Sequence, residues 1–315
     1  MKVLISDTLS PRAIEVFKEA GIAADVKTGL KEDALIAIIG DYDGLAIRSA
    51  TKVNAKVLAA ATKLKVVGRA GIGVDNVDLP AATERGVLVM NTPFGNSVAT
   101  AEHTLSLLMS ITRQIPSASA ATKAGTWPKS KYMGVELTGK VLGIIGCGNI
   151  GSVVADRAQG LKMHVVACDP HLTSEHAKAL NVERVDLDQL LRMSDFITLH
   201  TTINETTKHI LNKETLAKTK KGVRIVNCAR GGLIQEADLF DALQSGHVAA
   251  AALDVFETEP ATDSPLFGLD QVVVTPHLGA STHEAQENVA AQIAEQISSF
   301  LNTGLVVNPV NSPKK

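Results

Sequence analysis

The sequence predicts an α/β protein built from two doubly wound parallel-sheet domains, and two observations lead to this fold class. Apolar runs of strand length alternate with segments of helical periodicity along most of the chain, which is the pattern of parallel sheets covered by helices. The chain has 315 residues, a length that usually forms more than one hydrophobic core. The sequence therefore predicts two domains of ordinary size.

The N-terminal part predicts an open, flavodoxin-like parallel sheet. Helical patterns near 11–20 and 32–39 separate some of its strands, which read KVLISD, GLAIRS, KVVGRA and VLVMNTP. A long helical stretch follows at about 98–115, with a turn expected at Pro116 and an irregular segment around 125–128. We expect a domain boundary near Ser97.

The C-terminal part predicts a complete Rossmann-type unit. Strand-like runs read DFITLH, VRIVNCAR, AAALDVF and VVVTPHL, each after helix-like sequence. Ser281 and Glu284 have the spacing of a capping box, so a last helix is predicted from there to about Leu301. Its apolar face needs a partner, and we expect the tail to cross back and complete the first domain. The predicted domains are 98–281, and 1–97 together with 282–315.

The run KVLGIIGCGNIG at 140–151 matches the dinucleotide fingerprint. Gly146 allows a tight turn, Gly148 leaves room for a pyrophosphate, and Gly151 permits close packing of helix on strand. The phosphates are expected at the positive end of that helix. Asp169 ends the next strand, where a carboxylate accepts from the ribose hydroxyls and repels a 2′-phosphate. This pattern predicts NAD as the cofactor, in preference to NADP.

Composition narrows the remaining classes of protein. The formal net charge is −2 and aromatic residues make up 3%, so nothing indicates binding to nucleic acid. Apolar runs stay strand-sized, and we expect a cytoplasmic protein with no membrane partner. The three cysteines have no paired spacing, which predicts buried thiols with no disulfide framework and no metal site.

Three strand ends after the fingerprint each present one reactive side chain. Arg230 lies in NCARGG, Glu259 in DVFETEP and His277 in TPHLGAS. Hydride transfer to or from a hydroxy acid needs a guanidinium for the carboxylate, an imidazole for the hydroxyl proton and an anion that pairs with the imidazolium. We predict these roles for Arg230, His277 and Glu259. Taken alone, such residues more often have other roles: a surface ion pair for the arginine, a solvated side chain for the glutamate and a structural role for the histidine.

At these motifs the sequence resembles the D-isomer-specific 2-hydroxyacid dehydrogenases. The similarity covers nearly the whole chain through VGRAGIGVDNVD, NTPFGNS, the fingerprint, VNCARGG, AALDVFETEP and TPHLGAST, in the order of that family. The resemblance implies NAD-dependent oxidation of D-3-phosphoglycerate to 3-phosphohydroxypyruvate, with Arg230, His277 and Glu259 in the roles above. It also implies that cofactor contacts come from Gly146, Gly148, Asn149, Ile150, Gly151, Asp169, Thr201, Cys228, Arg230, Asp254, His277, Gly279 and Ala280.

For the substrate, Arg48 and Arg69 end neighbouring predicted strands, where two guanidinium groups could hold a phosphate. Family resemblance implies phosphate contacts at these positions. The alternative for each arginine is an ion pair with a nearby acid such as Asp43 or Asp75. Further predicted substrate-binding residues are Gly71, Ile72, Gly73 and, reaching a neighbouring subunit, Lys129.

Some positions depart from the family pattern: Asn149 replaces a frequent Arg, Ile72 a frequent Thr, and Thr202 a common Pro. These departures bear on cofactor affinity. Since the chain ends at Lys315, no C-terminal regulatory domain and no serine feedback through one are expected.

Two alternative functions remain at this point. A hydroxypyruvate or glyoxylate reductase would share the three catalytic residue types, and the two arginines distinguish it. A more distant alternative is an NADH-sensing corepressor that binds peptides. The apolar 98–115 helix predicts association into a homodimer or tetramer, with an intramolecular core helix as its alternative.

Overall fold

A computed structural model describes residues 1–313. The chain divides into two compact units. Unit 1 comprises residues 1–96 and 281–315, and unit 2 comprises residues 97–280. The fold is α/β, with one parallel sheet in each unit.

Unit 1 contains a five-stranded parallel sheet in the order β2-β1-β3-β4-β5, which is the flavodoxin-like order. Its strands are β1 (Lys2–Ile5), β2 (Ala23–Val26), β3 (Gly44–Ile47), β4 (Val66–Arg69) and β5 (Leu88–Asn91). Its helices are α1 (Arg12–Glu19), α2 (Glu32–Ile39), α3 (Ala55–Ala60), α4 (Leu79–Glu84) and the late helix α12 (His283–Thr303).

Alternate strand residues of unit 1 bury into two different cores, as the two-residue period of a strand requires. Val3 and Ile5 pack with residues of α1 and α12, whereas Leu4 packs with residues of α2 and α3. Gly68 on β4 lets α12 approach closely, because a Cβ there would lie 2.5 Å from Ile297 Cδ1. The late helix therefore forms part of the core of unit 1.

Unit 2 contains a seven-stranded parallel sheet in the order β12-β11-β10-β9-β6-β7-β8. This is the classic Rossmann order with one further strand beyond β11. The strands are β6 (Val141–Ile145), β7 (His164–Cys168), β8 (Glu183–Arg184), β9 (Phe196–Leu199), β10 (Val223–Asn227), β11 (Val248–Leu253) and β12 (Val272–Val274). The helices are α5 (Ser97–Arg113), α6 (Ile115–Lys123), α7 (Asn149–Gly160), α8 (Ser174–Ala179), α9 (Leu187–Met193), α10 (Lys213–Ala217) and α11 (Glu236–Gln244), with 3₁₀ turns at Lys129–Lys131 and Pro265–Gly268.

Two predicted helix boundaries are wrong. The turn after α5 falls at Gln114, which has φ 52°, and Pro116 lies in the first turn of α6. Proline fits there because its missing N–H would have had no helical partner. The cap of α12 is Thr282, whose side chain accepts from Ala285 N, so Ser281 and Glu284 form no capping box. Ser281 and Thr282 are adjacent and both residue types cap helices well, so the spacing rule alone does not choose between them.

Two edge strands went unpredicted. β2 reads AADV and has no buried residue, and β8 contains only Glu183 and Arg184. Neither shows the apolar run by which a buried parallel strand is found in a sequence. Among residues 1–313, no helix combines the length and apolar character that crossing a membrane requires.

Candidate active site

Three neighbouring strands of unit 2 end next to the predicted catalytic residues. β10, β11 and β12 are adjacent and parallel, so their carboxyl ends share one edge of the sheet. Arg230 follows β10, Glu259 follows β11 and His277 follows β12. Ligands of open α/β sheets bind outside this edge. The topology thus brings the three predicted side chains to the edge where chemistry is expected.

His277 and Glu259 form a direct pair. Nδ1 of His277 lies 2.8 Å from Oε2 of Glu259, and the other carboxylate oxygen, Oε1, accepts from Phe256 N at 3.1 Å. Partial burial would raise the pKa of Glu259, but the hydrogen bonds from His277 and Phe256 N outweigh it and the net pKa is lowered. Glu259 therefore stays ionised at neutral pH and fixes Nδ1 as the ring nitrogen that carries a proton toward it. This leaves Nε2 for exchange with a substrate.

The backbone at His277 is in the left-handed region, with φ 56°. A non-glycine residue in this conformation is strained and needs its surroundings to hold it. His277 N donates to Asp254 O at 2.9 Å and to Thr275 O at 3.0 Å. The segment 275–279, named here the histidine loop, is therefore held at its centre by the backbone of Asp254.

The side chain of Asp254 holds the same loop. Oδ1 accepts from Thr275 Oγ1 at 2.5 Å and from Leu278 N at 2.7 Å, and Oδ2 accepts from Gly279 N at 2.8 Å. Burial would raise the pKa of this fully buried carboxyl, but the hydrogen bonds to it outweigh burial and the pKa is lowered. Asp254 is therefore a buried anion whose partners are mostly loop donors.

Arg230 is half-buried in a loop that packs tightly on the neighbouring strand end. Its Nη1 donates to Ala229 O at 2.6 Å, and its own carbonyl accepts from Asn227 Nδ2 at 2.9 Å. At Gly231 an added Cβ would clash with Phe256 O, so the loop after β10 lies against the segment after β11. Only glycine fits this approach, which fixes the backbone next to Arg230.

The glycine turn has the geometry that the fingerprint predicts. Gly146 has φ 92°, and a Cβ there would lie 2.7 Å from the His200 carbonyl; at Gly151 a Cβ would collide with Gly146 O. At Gly148 the space around the Cβ position is open to 4 Å. Gly148 is also the N-cap residue of α7, so no side chain caps the first N–H groups of that helix. Open backbone at a helix N-terminus is what a pyrophosphate needs. The turn is therefore sterically suited to a dinucleotide, with Asn149 and Ile150 in the first turn of the helix.

Asp169 stands just after β7 with both oxygens oriented by the backbone. Oδ2 accepts from Cys147 N at 2.8 Å and Oδ1 from His171 N at 2.7 Å. A carboxylate oxygen has more than one lone pair, so each can still accept from a ribose hydroxyl. The carboxylate of Asp169 is thus suited to accept from the ribose hydroxyls of a dinucleotide without a 2′-phosphate.

The other predicted cofactor residues lie along the same edge. Thr201 follows β9, Cys228 follows β10, Gly279 ends the histidine loop, and Ala280 follows that loop. Cys228 is 5% exposed, and burial raises the pKa of its thiol to about 12. Its side chain is therefore an inert buried thiol, and any cofactor contact at this position falls to the backbone.

His103, Cys228 and Asp254 form the one group of potential metal ligands found within residues 1–313, with ligand atoms within 4.8 Å of one another. Oδ1 of Asp254 already faces His103 Nε2 at 3.2 Å in addition to its loop donors. The thiol of Cys228 is far from ionising, and a metal binds thiolate. The donor set therefore fits a hydrogen-bonded network better than a cation.

In unit 1, Arg48 and Arg69 lie at the carboxyl ends of the adjacent strands β3 and β4. Arg69 is paired in register with Ile47, the residue before Arg48. Arg48 N donates to Asp7 Oδ2 at 2.6 Å, and burial lowers the pKa of the Arg48 guanidinium, with the charge of Asp7 acting in the opposite direction. The two predicted phosphate-binding residues are therefore neighbours in the sheet.

The segment Gly71, Ile72, Gly73 follows β4 and is anchored by β5 and the residue after it. Gly71 N donates to Thr92 Oγ1 at 2.7 Å, and Ile72 O accepts from Asn91 Nδ2 at 2.6 Å. Gly71 has φ 141° and carries the Arg69 guanidinium over it, so a Cβ there would collide with Arg69 Nη1. Only glycine at 71 leaves this guanidinium its position.

The ion-pair alternative with Asp43 has no support for either arginine, because Asp43 pairs with Lys65 Nζ at 3.2 Å and accepts from Lys2 N at 2.9 Å. Lys129 is exposed and begins the 3₁₀ turn at Lys129–Lys131. Its reach toward another subunit stays a prediction.

Sequence reasoning missed two residues of the site. Thr275 and His103 both contact Oδ1 of Asp254, at 2.5 and 3.2 Å. Thr275 directly follows β12 and is the first residue of the TPHLGAS motif, so the strand-end rule could have found it. His103 lies within α5, and no local pattern connects it to a strand end far along the chain.

Comparison with known proteins agrees with this geometry. Residues 105–279 match the family model described as D-isomer specific 2-hydroxyacid dehydrogenase, NAD binding domain. A relative from Archaeoglobus fulgidus named D-3-phosphoglycerate dehydrogenase is 46% identical over 99% of this chain. The chain spans 60% of that relative's length.

Two solved structures are similar over nearly the whole chain. The TT0316 protein from Thermus thermophilus has a TM-score of 0.90 and 34% identity, with 98% of this chain and 100% of that chain covered. A glyoxylate reductase from Paecilomyes thermophila has a TM-score of 0.91 and 30% identity, with 98% of each chain covered. Together with the family match over the fingerprint and the histidine loop, these likenesses show that the chain belongs to the D-isomer specific 2-hydroxyacid dehydrogenase family.

Proposed function

We propose that this chain is an NAD-dependent dehydrogenase that oxidises D-3-phosphoglycerate to 3-phosphohydroxypyruvate, the first step of phosphorylated serine biosynthesis. The observation that carries the proposal is the 2.8 Å bond between His277 and Glu259 at the carboxyl edge of a Rossmann sheet. The name of the Archaeoglobus relative supports the choice of substrate. The proposal includes a cytoplasmic location, which the three free thiols support because cysteines stay reduced in the cytosol.

In this proposal the chain's own residues handle the proton and the substrate. Nε2 of His277 takes the hydroxyl proton of the substrate while its Nδ1 stays bonded to Glu259, whose charge stabilises the imidazolium that forms. Arg230 binds the carboxylate and the developing carbonyl oxygen. NAD, held by the glycine turn and Asp169, would supply the two-electron acceptor for the hydride of C2, while the hydroxyl proton goes to His277. In the reverse direction the same imidazolium returns the proton.

Arg48 and Arg69 are proposed to bind the phosphate of the substrate. Two guanidinium groups on adjacent strands can each donate two hydrogen bonds to phosphate oxygens, which a lysine cannot do in the same geometry. The alternative is a glyoxylate or hydroxypyruvate reductase, and the name of the Paecilomyes structure favours keeping it. An unphosphorylated 2-oxo acid would make no use of the two arginines.

The test is NADH formation followed by absorbance with a panel of acids. We expect D-3-phosphoglycerate to be oxidised with a kcat/KM at least about tenfold above that for D-glycerate, since hydrogen bonds to a charged group contribute about 1.5–3 kcal/mol and tenfold corresponds to about 1.4 kcal/mol. The reverse reaction is measured with 3-phosphohydroxypyruvate, hydroxypyruvate and glyoxylate. Preference for glyoxylate or hydroxypyruvate would favour the reductase, and no turnover of any acid would overturn the dehydrogenase itself.

We also propose that the chain forms a homodimer or tetramer through unit 2. Helices α5 and α6 and the following segment expose large apolar side chains, with Trp127 and Met133 both at 81% exposure and Ile115 at 52%. Much of α5 is already buried within its own chain, which keeps the intramolecular alternative open for the helix itself. Lys129 lies between Trp127 and Met133, so such an interface would bring it to a second subunit. Sedimentation velocity of the wild type and Trp127→Ser tests the surface: a shift toward monomer supports it, and an unchanged dimer excludes this segment.

A further inference from the structure

Helix α5 contributes one side chain to the network beneath the histidine loop. His103 is 20% exposed, and its Nε2 lies 3.2 Å from Asp254 Oδ1 and 3.1 Å from Thr275 Oγ1. Both partners belong to strands β11 and β12 or to the residues directly after them. His103 thus connects the helix to the two strand ends that carry Glu259 and His277.

The donor count fixes the proton on His103. Thr275 has one hydroxyl proton, and it is donated to Asp254 Oδ1 at 2.5 Å. Both neighbours of His103 Nε2 are therefore acceptors, because an ionised carboxylate has no donor and Thr275 has already used its own. Nε2 of His103 must carry a hydrogen and donate it toward them. The histidine is thus a donor to a buried anion.

That anion is what holds the strained turn at His277. Three bonds within the histidine loop converge on the Asp254 side chain, and the backbone of the same residue accepts from His277 N. A left-handed non-glycine residue persists only where its surroundings over-determine it. Asp254 supplies that constraint as long as its own carboxylate does not shift. Among the contacts described for residues 1–313, the polar side chain that reaches Asp254 from outside the loop is His103 on α5, 3.2 Å from Oδ1.

We propose that His103 is a positioning residue for His277: its Nε2–H anchors the Asp254 carboxylate, and through it the histidine loop, to helix α5. The inference rests on the proposed role of His277 as the acid–base group. His103 touches no reacting atom in this account. It sets where the imidazole of His277 sits and how much negative charge that imidazole faces.

The titratable groups around this network come from several elements. His103 lies on α5, Cys228 follows β10, and Asp254 and Glu259 follow β11, with His277 after β12. Cys228 stays neutral because burial raises the pKa of its thiol to about 12. Asp254 would keep its charge after loss of His103, since Thr275, Leu278 N and Gly279 N still donate to it. Removing the His103 donor would then leave more uncompensated negative charge near His277.

The experiment compares His103→Leu with His103→Gln in the full chain. Leu keeps apolar bulk but has no donor, whereas the Gln amide can place an N–H close to the position of Nε2. His164→Leu is the matched control, because His164 forms the same kind of pair, 2.9 Å from Glu183, at the opposite, amino end of its strand. Thermal unfolding checks that each variant is folded.

Two readouts are measured. We expect His103→Leu to lower kcat about tenfold with little change in the KM for NAD, since a small misplacement of an acid–base group has this cost. The titration midpoint of the His277 imidazole, followed by NMR on histidine-labelled protein, should move up by about half a pH unit. His103→Gln should restore both values toward wild type, and His164→Leu should change neither.

The outcomes separate the two proposals. Unchanged kcat and an unchanged His277 titration in His103→Leu would overturn the positioning role. Equal loss of kcat in the Leu and Gln variants with no change in the His277 titration would assign His103 to helix packing alone, which also overturns it. If the wild type oxidises no acid in the panel, the proposed function fails, while the NMR titration still decides whether His103 controls the environment of His277.

Discussion

In each unit a buried aspartate accepts hydrogen bonds from the loop after a neighbouring strand, and the two aspartates differ in the elements that supply their other contacts. In unit 1, Asp7 accepts from Arg48 N, Thr51 N and Thr51 Oγ1, all from the loop after β3. In unit 2, Asp254 accepts from the histidine loop, and its Oδ1 also lies 3.2 Å from Nε2 of His103 on helix α5. In our proposal, the loop held by Asp7 carries Arg48, which binds the phosphate of the substrate. The loop held by Asp254 carries His277, which in the same proposal transfers a proton. The comparison suggests that the second task needs an anchor outside the loop.

The largest expected effect is that of His277→Ala, which removes the residue proposed to transfer the proton. We expect turnover of every substrate to fall about a thousandfold, because general acid–base catalysis contributes on that order. Binding of NADH, measured by fluorescence, should persist because the glycine turn and Asp169 are untouched. Turnover within tenfold of wild type would remove His277 from the chemistry.

Replacing each aspartate by asparagine should lower the free energy of unfolding of the protein by different amounts. In Asp254→Asn either amide orientation puts an NH₂ group against a backbone N–H, of Leu278 or of Gly279, and neither can accept. In Asp7→Asn the NH₂ can face Thr51 Oγ1, a hydroxyl that accepts as readily as it donates. We therefore expect a loss of about 3 kcal/mol for Asp254→Asn and about 1 kcal/mol for Asp7→Asn in urea unfolding. Equal losses would mean that the two loops are held in the same way.

The arginines of unit 1 should affect substrate choice alone. Arg48→Lys and Arg69→Lys keep the charge but lose the planar fork, and we expect each to lower kcat/KM for D-3-phosphoglycerate about tenfold. Steady-state rates with D-glycerate serve as the control and should stay within about twofold. An equal fall for both acids would show that these arginines support the fold and do not select the phosphate.

The smallest expected effect is a pH dependence of stability that arises from Asp254. Its folded-state pKa lies below the ordinary value of 3.8, so its contribution to stability is fully present above that value. The contribution is lost as the pH falls through the lowered folded-state pKa. The stability difference between wild type and Asp254→Asn, measured by urea unfolding at stepwise lower pH, should therefore be constant down to about pH 4 and narrow below it. A difference that narrows already near neutral pH would contradict an ionised Asp254.

Much of the fold follows from apolar runs that become buried parallel strands, because such strands are covered on both faces and read as continuous hydrophobic segments. The edge strands β2 and β8 lack that burial and could not be found in this way. The glycine turn was predictable because Gly146 and Gly151 answer steric needs of the backbone, while Gly148 leaves the open space that a pyrophosphate needs. Pro116 was misplaced because a proline suits a helix start as well as a turn.

The residues of the candidate site that follow strand ends were predictable from the sequence, whereas the residue that helix α5 contributes was not. His277, Glu259 and Arg230 follow motifs that a reader of the sequence can find, because parallel topology brings strand ends to one edge. His103 contacts Asp254 only because α5 packs on the sheet at one particular register, and no periodicity encodes that register. Polar partners that come from distant elements therefore require the structure.

The most direct test of the central claim uses D-3-phosphoglycerate with deuterium at C2. If the chain transfers a hydride from C2 to NAD while His277 takes the hydroxyl proton, mass spectrometry should find one deuterium in the NADH formed and none released to water. Loss of the label to solvent, or unlabelled NADH, would contradict the account.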